Sequence, residues 1–186
     1  MLEANDSESW GFLQALENCS ALQQLQLADN QFQGLIPNSV GKLPPTLEYL
    51  TLGGNNLSGV VPPSIGNLCA LLVLSLDGNT LTGNIGHWIA NLNHLQGLYL
   101  SNNNFSGPIP PLVGNLTQLT EIYLDNNGFE GSIPPSLGRL PLLLKLDLSY
   151  NNLGGSIPPE VSSLKQLVNL QLSSNKLTGK IPDALG

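Results

Sequence analysis

Charge is what this sequence has least of. Only 10 % of its 186 residues are Asp, Glu, Lys or Arg, with 6 basic residues against 13 acidic ones and a formal net charge of −7. That balance argues against nucleic acid as a partner, because phosphate backbones are held by clustered lysine and arginine. Long apolar runs are missing too. The longest, Ala70 to Leu74 and Leu142 to Leu144, fall far short of the roughly 20 residues that cross a bilayer. The stretch from Met1 to Asn5 has no basic region and no apolar segment follows it, so it does not read as a secretory signal. No membrane contact is expected from this segment. Histidine is limited to His87 and His94, which do not converge with a serine or carboxylate as a triad requires. Phosphate-cradling, zinc-protease and kinase motifs are all lacking. The chain reads as a non-enzyme with no cofactor and no metal.

What the sequence does have is a period. Asn30, Asn55, Asn79, Asn103, Asn127, Asn151 and Asn175 recur every 24 residues, with one step of 25, and each closes the pattern L-x-x-L-x-L-x-x-N. In Leu22, Leu25, Leu27 and Asn30 the Leu-x-Leu pair has strand periodicity, so both leucines share one face while Gln24, Gln26 and Ala28 take the other. One short strand per repeat is expected. The asparagine stands where the strand ends, and its two donors and one acceptor can satisfy backbone groups left open there, building a buried ladder between coils. An apolar plug follows (Phe32, Leu57, Leu81, Phe105, Phe129, Leu153, Leu177), then Gly34, Gly59, Gly83, Gly107, Gly131, Gly155 and Gly179, where glycine suits a tight bend. Ile36-Pro37 and its equivalents continue as an extended stretch that proline keeps out of a helix, and short turns such as Ser136-Leu137-Gly138 return the chain. This is the signature of a leucine-rich-repeat solenoid of α/β-type repeats, with a parallel sheet on the concave face and short 3-10 or helical turns on the convex side. Seven strands at about 4.8 Å give an arc roughly 34 Å long, stabilised by nearest-neighbour contacts.

The unit L-x-x-L-x-x-L-x-L-x-x-N-x-L-x-G-x-I-P-x-x-L-G-x over residues 19–186 resembles the plant-specific class of leucine-rich repeats. Trp10-Gly11-Phe12-Leu13, Leu16-Glu17-Asn18-Cys19-Ser20 and the inserted Leu43-Pro44-Pro45-Thr46-Leu47 narrow the resemblance. They are similar to ectodomains of a plant receptor-kinase subfamily that includes cereal bacterial-blight resistance receptors and receptors for bacterial elongation-factor peptides. That resemblance implies a signal peptide, a membrane helix and a cytoplasmic kinase outside this segment, and placement on the extracellular face of the plasma membrane. Residues 1–18 are expected to be the convex remainder of a preceding repeat, with Leu2 as its plug and Asn5 and Glu8 at capping-box spacing before a short helix through Trp10, Leu13 and Leu16. Residues 19–186 form seven repeats without terminal caps. Apolar edges at both end coils are expected to promote association.

Several residues invite a chemical reading. Cys19 and Cys69 lie two coils apart, roughly 10 Å along the stack, too far for a disulfide. Both are expected as buried thiols, Cys19 in a leucine position. Trp88, in a repeat where Asn84-Ile85-Gly86-His87-Trp88-Ile89 replaces Ile-Pro-Pro, is either an exposed convex anchor or a ring packed over the neighbouring coil. Between the core leucines the outward column reads Gln26, Thr51, Ser75, Tyr99, Tyr123, Asp147 and Gln171. Tyr99 and Tyr123 fall side by side, rimmed by Asp77, Glu121, Asp125 and Asp147, with Lys145 and Tyr150 on flanking columns. This arrangement is a candidate platform for an extended peptide of basic character; a cross-strand pair that only stabilises the sheet is the bland alternative. Sequons at Asn5, Asn18, Asn56, Asn104 and Asn115 are candidate glycan sites.

The expected function is ligand recognition by a plant cell-surface receptor kinase in innate immunity. Its ligand is a peptide or protein, microbial in origin, bound across the concave face together with a co-receptor ectodomain. A secreted inhibitor of microbial wall-degrading enzymes and a co-receptor or scaffold solenoid are the competing readings.

Overall fold

A computed structural model describes the backbone of Glu3–Ala4 and residues 10–182. The chain winds in stacked coils that contribute to two parallel sheets. A seven-stranded sheet is built from Gln24–Gln26, Tyr49–Thr51, Val73–Ser75, Gly97–Tyr99, Glu121–Tyr123, Lys145–Asp147 and Asn169–Gln171. Consecutive repeats pair in register, so Ser75 lies beside Tyr99, Tyr99 beside Tyr123, and Tyr123 beside Asp147. The middle residue of each central triplet points inward, and Leu50, Leu74, Leu98 and Ile122 are completely buried. Each such side chain contributes about 2 kcal/mol of hydrophobic stabilisation, which favours a single register because a one-residue slip would turn the whole apolar set outward.

The expectation of one strand per repeat is corrected by a second sheet. Its eight strands are Glu3–Ala4, Gln31–Leu35, Asn56–Val60, Thr80–Gly83, Asn104–Pro108, Gly128–Ser132, Asn152–Gly155 and Lys176–Leu177. The plug, the glycine and the following isoleucine, as in Phe32, Gly34 and Ile36, are spaced by two, which is strand periodicity. Proline does not interfere, because it follows these strands or, as Pro108, ends one. The glycines are nonetheless needed: Gly34 has φ of +79° and Gly107 +75°, the left-handed region in which a Cβ is penalised.

Between the sheets the chain returns through 3-10 turns, among them Pro63–Asn67, His87–Asn91, Pro111–Asn115 and Pro135–Arg139. Their fourth residue is the point of closest approach between coils. A Cβ on Gly114 would stand 2.2 Å from the carbonyl oxygen of Ser136, and one on Gly138 would stand 2.2 Å from that of Glu160. Ala90 occupies this place in His87–Asn91, and that turn packs less extensively on its successor than the other turns do.

The asparagine ladder joins the coils. Asn103 donates through Nδ2 to the carbonyl oxygens of Leu76 (3.0 Å), Leu100 (3.2 Å) and Ser101 (3.2 Å), while its Oδ1 accepts the N–H of Leu81 at 2.9 Å. Asn79 and Asn127 repeat this pattern one coil to either side. One carboxamide thus satisfies four backbone groups, two of them on the preceding coil. Beneath the ladder Phe105 and Phe129 stack at 6.1 Å and 7°.

The packing reading of Trp88 is the one realised. It is 5 % exposed, and its ring lies against Gly86, where a Cβ would stand 2.9 Å from the indole Cδ1. Glycine in place of the usual proline makes that room. The expectation of buried thiols is overturned: Cys19 and Cys69 are free and exposed. Cys19 belongs to the first coil of the seven-stranded sheet, where even Leu22, Leu25 and Leu27 are only half-buried. Cys69 occupies a position one residue past the core leucine Leu68, which puts its side chain outward.

Near the start, a helix spans Phe12–Leu16 with no side-chain cap, and Leu13 is buried on it. Trp10 precedes the helix and lies 5.3 Å from the ring of Phe32. Leu2, Asn5 and Glu8 lie outside the described residues. At the other end Leu167, Leu170 and Leu172 are half-buried, with Val168 80 % and Ile181 70 % exposed. The isolated chain is therefore expected to self-associate through its end coils, giving a light-scattering mass that rises with concentration. A constant monomer mass at high concentration would contradict this.

Candidate ligand-binding face

The outward columns of the seven-stranded sheet carry the candidate site, and their in-register pairing decides which side chains meet. Tyr99 and Tyr123, on adjacent strands, stack with centroids 5.5 Å apart and 16° between planes. Tyr99 folds back along its own strand over Gly97: a Cβ there would stand 2.6 Å from the ring Cε2. Its hydroxyl donates to Oε2 of Glu121 at 2.8 Å, and Oε1 of Glu121 meets Nζ of Lys145 at 3.1 Å. Three neighbouring strands are thereby linked by one chain of side-chain bonds. Gly97 is the residue the sequence reading left out of the site. The signal available was a lone glycine in a column that otherwise reads Val73, Glu121 and Lys145.

The electrostatics follow from these contacts. Burial, and then the hydrogen bond to the Glu121 carboxylate, push the Tyr99 hydroxyl well above the ordinary tyrosine pKa. Burial opposes ionisation of Glu121, but the bonds from Tyr99 and Lys145 outweigh it and its carboxyl titrates below the usual range. Its bond and charge contact with Glu121 raise Lys145. A raised tyrosine pKa stabilises the fold fully below the unfolded value of about 10 and is lost as pH rises past it. The lowered carboxyl contributes above about pH 4.3 and is lost as pH falls through its folded value. In a spectrophotometric titration one tyrosine should stay un-ionised where free tyrosine is mostly ionised, and Glu121→Gln should shift that transition to lower pH. An unchanged titration in this variant would dissociate Tyr99 from Glu121.

The four expected rim carboxylates prove unequal. Asp147 is 8 % exposed, and its Oδ1 accepts both the N–H (2.9 Å) and the Oγ (2.6 Å) of Ser149. It locks its own turn and is not part of a rim. Asp125 accepts from Ser101 Oγ on one oxygen and from Asn126 Nδ2, at 3.1 Å, on the other. Glu121 is engaged on both oxygens as described. Asp77 accepts from Ser75 Oγ at 2.7 Å through Oδ1 alone. Tyr150 is 59 % exposed at φ +52°, a left-handed position that its equivalents fill with Gly78, Asn102 and Asn126. Between the tyrosine rings and the ends of their strands lies a shallow depression of about 220 Å³ lined by Asp77, Tyr99, Ser101, Glu121 and Tyr123.

His87 and His94 are exposed. Among the described residues no group of three or more His, Cys, Asp or Glu is placed to hold a metal ion, and none of the helices they form is long and apolar enough to cross a membrane. Among the sequons, Asn18, Asn56, Asn104 and Asn115 are exposed, and Asn5 lies outside the described residues.

Comparison with known proteins agrees with this architecture. The receptor kinase HAESA of Arabidopsis, solved with the peptide hormone IDA and the co-receptor SERK1, aligns with a TM-score of 0.87 and 38 % identity over 98 % of this chain. A TDR receptor structure aligns at 0.90 and 36 % over 98 %. The chain spans 29 % and 30 % of those two structures. A 49-residue stretch, 26 % of this chain and 5 % of the other, is 39 % identical to the receptor kinase-like protein Xa21 of Oryza sativa subsp. japonica. The ladder, the two sheets and these likenesses to plant receptor-kinase ectodomains converge with the leucine rich repeat family models matching residues 21–43, 45–105 and 114–184: the chain belongs to the leucine-rich-repeat family.

Proposed function

We propose that this chain is the ligand-recognition segment of a plant cell-surface receptor kinase and that it binds an extended peptide across the exposed face of its seven-stranded sheet. The stacked, braced pair Tyr99 and Tyr123 carries this reading. Two rigid aromatic rings with polar tips, standing on a sheet beside an open depression, have the anchor chemistry that dominates peptide interfaces. HAESA, similar over nearly the whole chain, is solved with a peptide hormone and a co-receptor, which supports both partner classes here. An innate-immune role with a microbial ligand is supported more narrowly, by the motifs around Trp10 to Ser20 and by the stretch similar to the rice protein. In this reading Lys145 and Tyr150 flank the ligand, while glycans on Asn18, Asn56, Asn104 and Asn115 leave the tyrosine column clear. Pairing of Glu3 with Gln31 supports residues 1–18 as the convex part of a preceding repeat.

Selection from a displayed library of random linear peptides tests the reading. The chain should enrich a peptide pool, and Tyr99→Ala with Tyr123→Ala should reduce recovery of that pool at least tenfold. Undiminished recovery by the double variant removes the tyrosines from the site.

A further inference from the structure

From the inequality of the four carboxylates, we infer that the depression beside Tyr99 and Tyr123 seats an arginine side chain, read by the open oxygen of Asp77. The inference rests on the peptide-binding reading and names which ligand side chain this surface selects. Glu121 and Asp125 have both oxygens engaged, by Tyr99, Lys145, Ser101 and Asn126, and Asp147, bonded twice through Oδ1 to Ser149, is buried. Asp77 keeps Oδ2 clear while Ser75 fixes Oδ1, so its carboxylate is oriented and half-buried. A carboxylate partly withdrawn from water gains from a cation that replaces the lost hydration.

The depression selects among cations. Its aromatic lining comes from Tyr99 and Tyr123, whose stacking holds both rings still. On the other side of Tyr99 the paired residue is Ser75, too short to cover a ring. A guanidinium stacks flat on such a surface and keeps its in-plane N–H groups for the carboxylate, whereas an ammonium is a compact, strongly hydrated point charge. The internal pair Lys145–Glu121 neutralises the nearest competing carboxylate. The arginine is therefore directed to Asp77 and away from Glu121.

Titration of the chain with Ac-Gly-Arg-Gly-NH2, followed by NMR of the tyrosine ring protons and of the peptide guanidinium, tests this, with the lysine and citrulline tripeptides as comparison arms. The arginine peptide should give saturable shifts at Tyr99, the lysine peptide should bind at least threefold more weakly, and citrulline should give none. Asp77→Asn, which keeps the Ser75 bond, should weaken arginine binding at least tenfold; Asp125→Asn should change it less than twofold. Tyr99→Phe should retain binding and Tyr99→Leu should lose it. Equal binding of lysine or citrulline, or equal effects of the two aspartate variants, would overturn the inference. So would the absence of any saturable shift with circular dichroism unchanged. If the library selection above enriches peptides without arginine in a tyrosine-dependent way, the peptide-binding reading stands and this inference alone falls.

Discussion

Asn103→Ala is expected to destabilise the chain by about 3 kcal/mol, whereas Asn104→Ala, one residue along, should change stability by less than about 0.5 kcal/mol. The two asparagines have opposite surroundings: Asn103 is 7 % exposed and bonded to four backbone groups, while Asn104 is exposed. Truncation at Asn103 leaves the Leu81 N–H without its partner in a space too closed for water, at a cost of about 1–3 kcal/mol, and the carbonyls of Leu76, Leu100 and Ser101 each fall back on one remaining donor, from Asn79, Asn127 and the Gly78 N–H. Because two of the lost bonds reach the preceding coil, the damage falls on the coupling between neighbours that holds a repeat array together. Urea unfolding should therefore show a lower midpoint and a shallower or split transition. Matching curves for the two variants would refute the ladder's energetic role.

Gly114→Ala is expected to cost about 2–3 kcal/mol through overpacking, although alanine is the better residue for a helical turn. The added methyl would stand 2.2 Å from the backbone carbonyl oxygen of Ser136. No side-chain rotation relieves a clash with backbone, so the coils must part. Ala90 shows what that parting entails, since its turn packs less extensively on the next one. Ala90→Gly should accordingly leave stability within about 1 kcal/mol of the parent, the gain from closer coils offsetting the propensity loss. Thermal unfolding of the two variants would check this. A Gly114→Ala variant as stable as the parent would mean that the coil spacing is soft.

Repetition decides how legible each feature was. Asn55 to Asn175, the plugs and the left-handed glycines stand in the same place in every coil, so each occurrence confirms the others, and ladder and register could be read without coordinates. The second sheet could not, because Ile-Pro after Gly34 and its equivalents masks a strand that ends before the proline in most coils. Exposure of Cys19 is not legible from its leucine position, because that position has less covering it in the first coil than mid-array, and Cys69 is exposed because it stands one residue past the core leucine Leu68. Inside the site, the outward columns placed Tyr99 beside Tyr123 correctly. What they did not separate was Asp77 from Asp147, since both are acids in the same patch. The serine that captures each carboxylate lies two residues away in both cases, but only Asp147 also binds backbone and is buried. That difference arises from burial, which no single column encodes.

The in-register pairing of the seven strands also sets a ruler for whatever lies across them. Strands stand about 4.8 Å apart, so every second coil recurs at about 9.6 Å. A polyproline II chain rises about 3.1 Å per residue with three residues per turn, repeating its side-chain face every 9.3 Å or so. A ligand in that conformation, crossing the strands, keeps step with alternate coils over several turns, whereas a β-strand's two-residue repeat of about 6.6 Å drifts out of phase after one. The spacing of the coils thus favours ligands with every third residue alike.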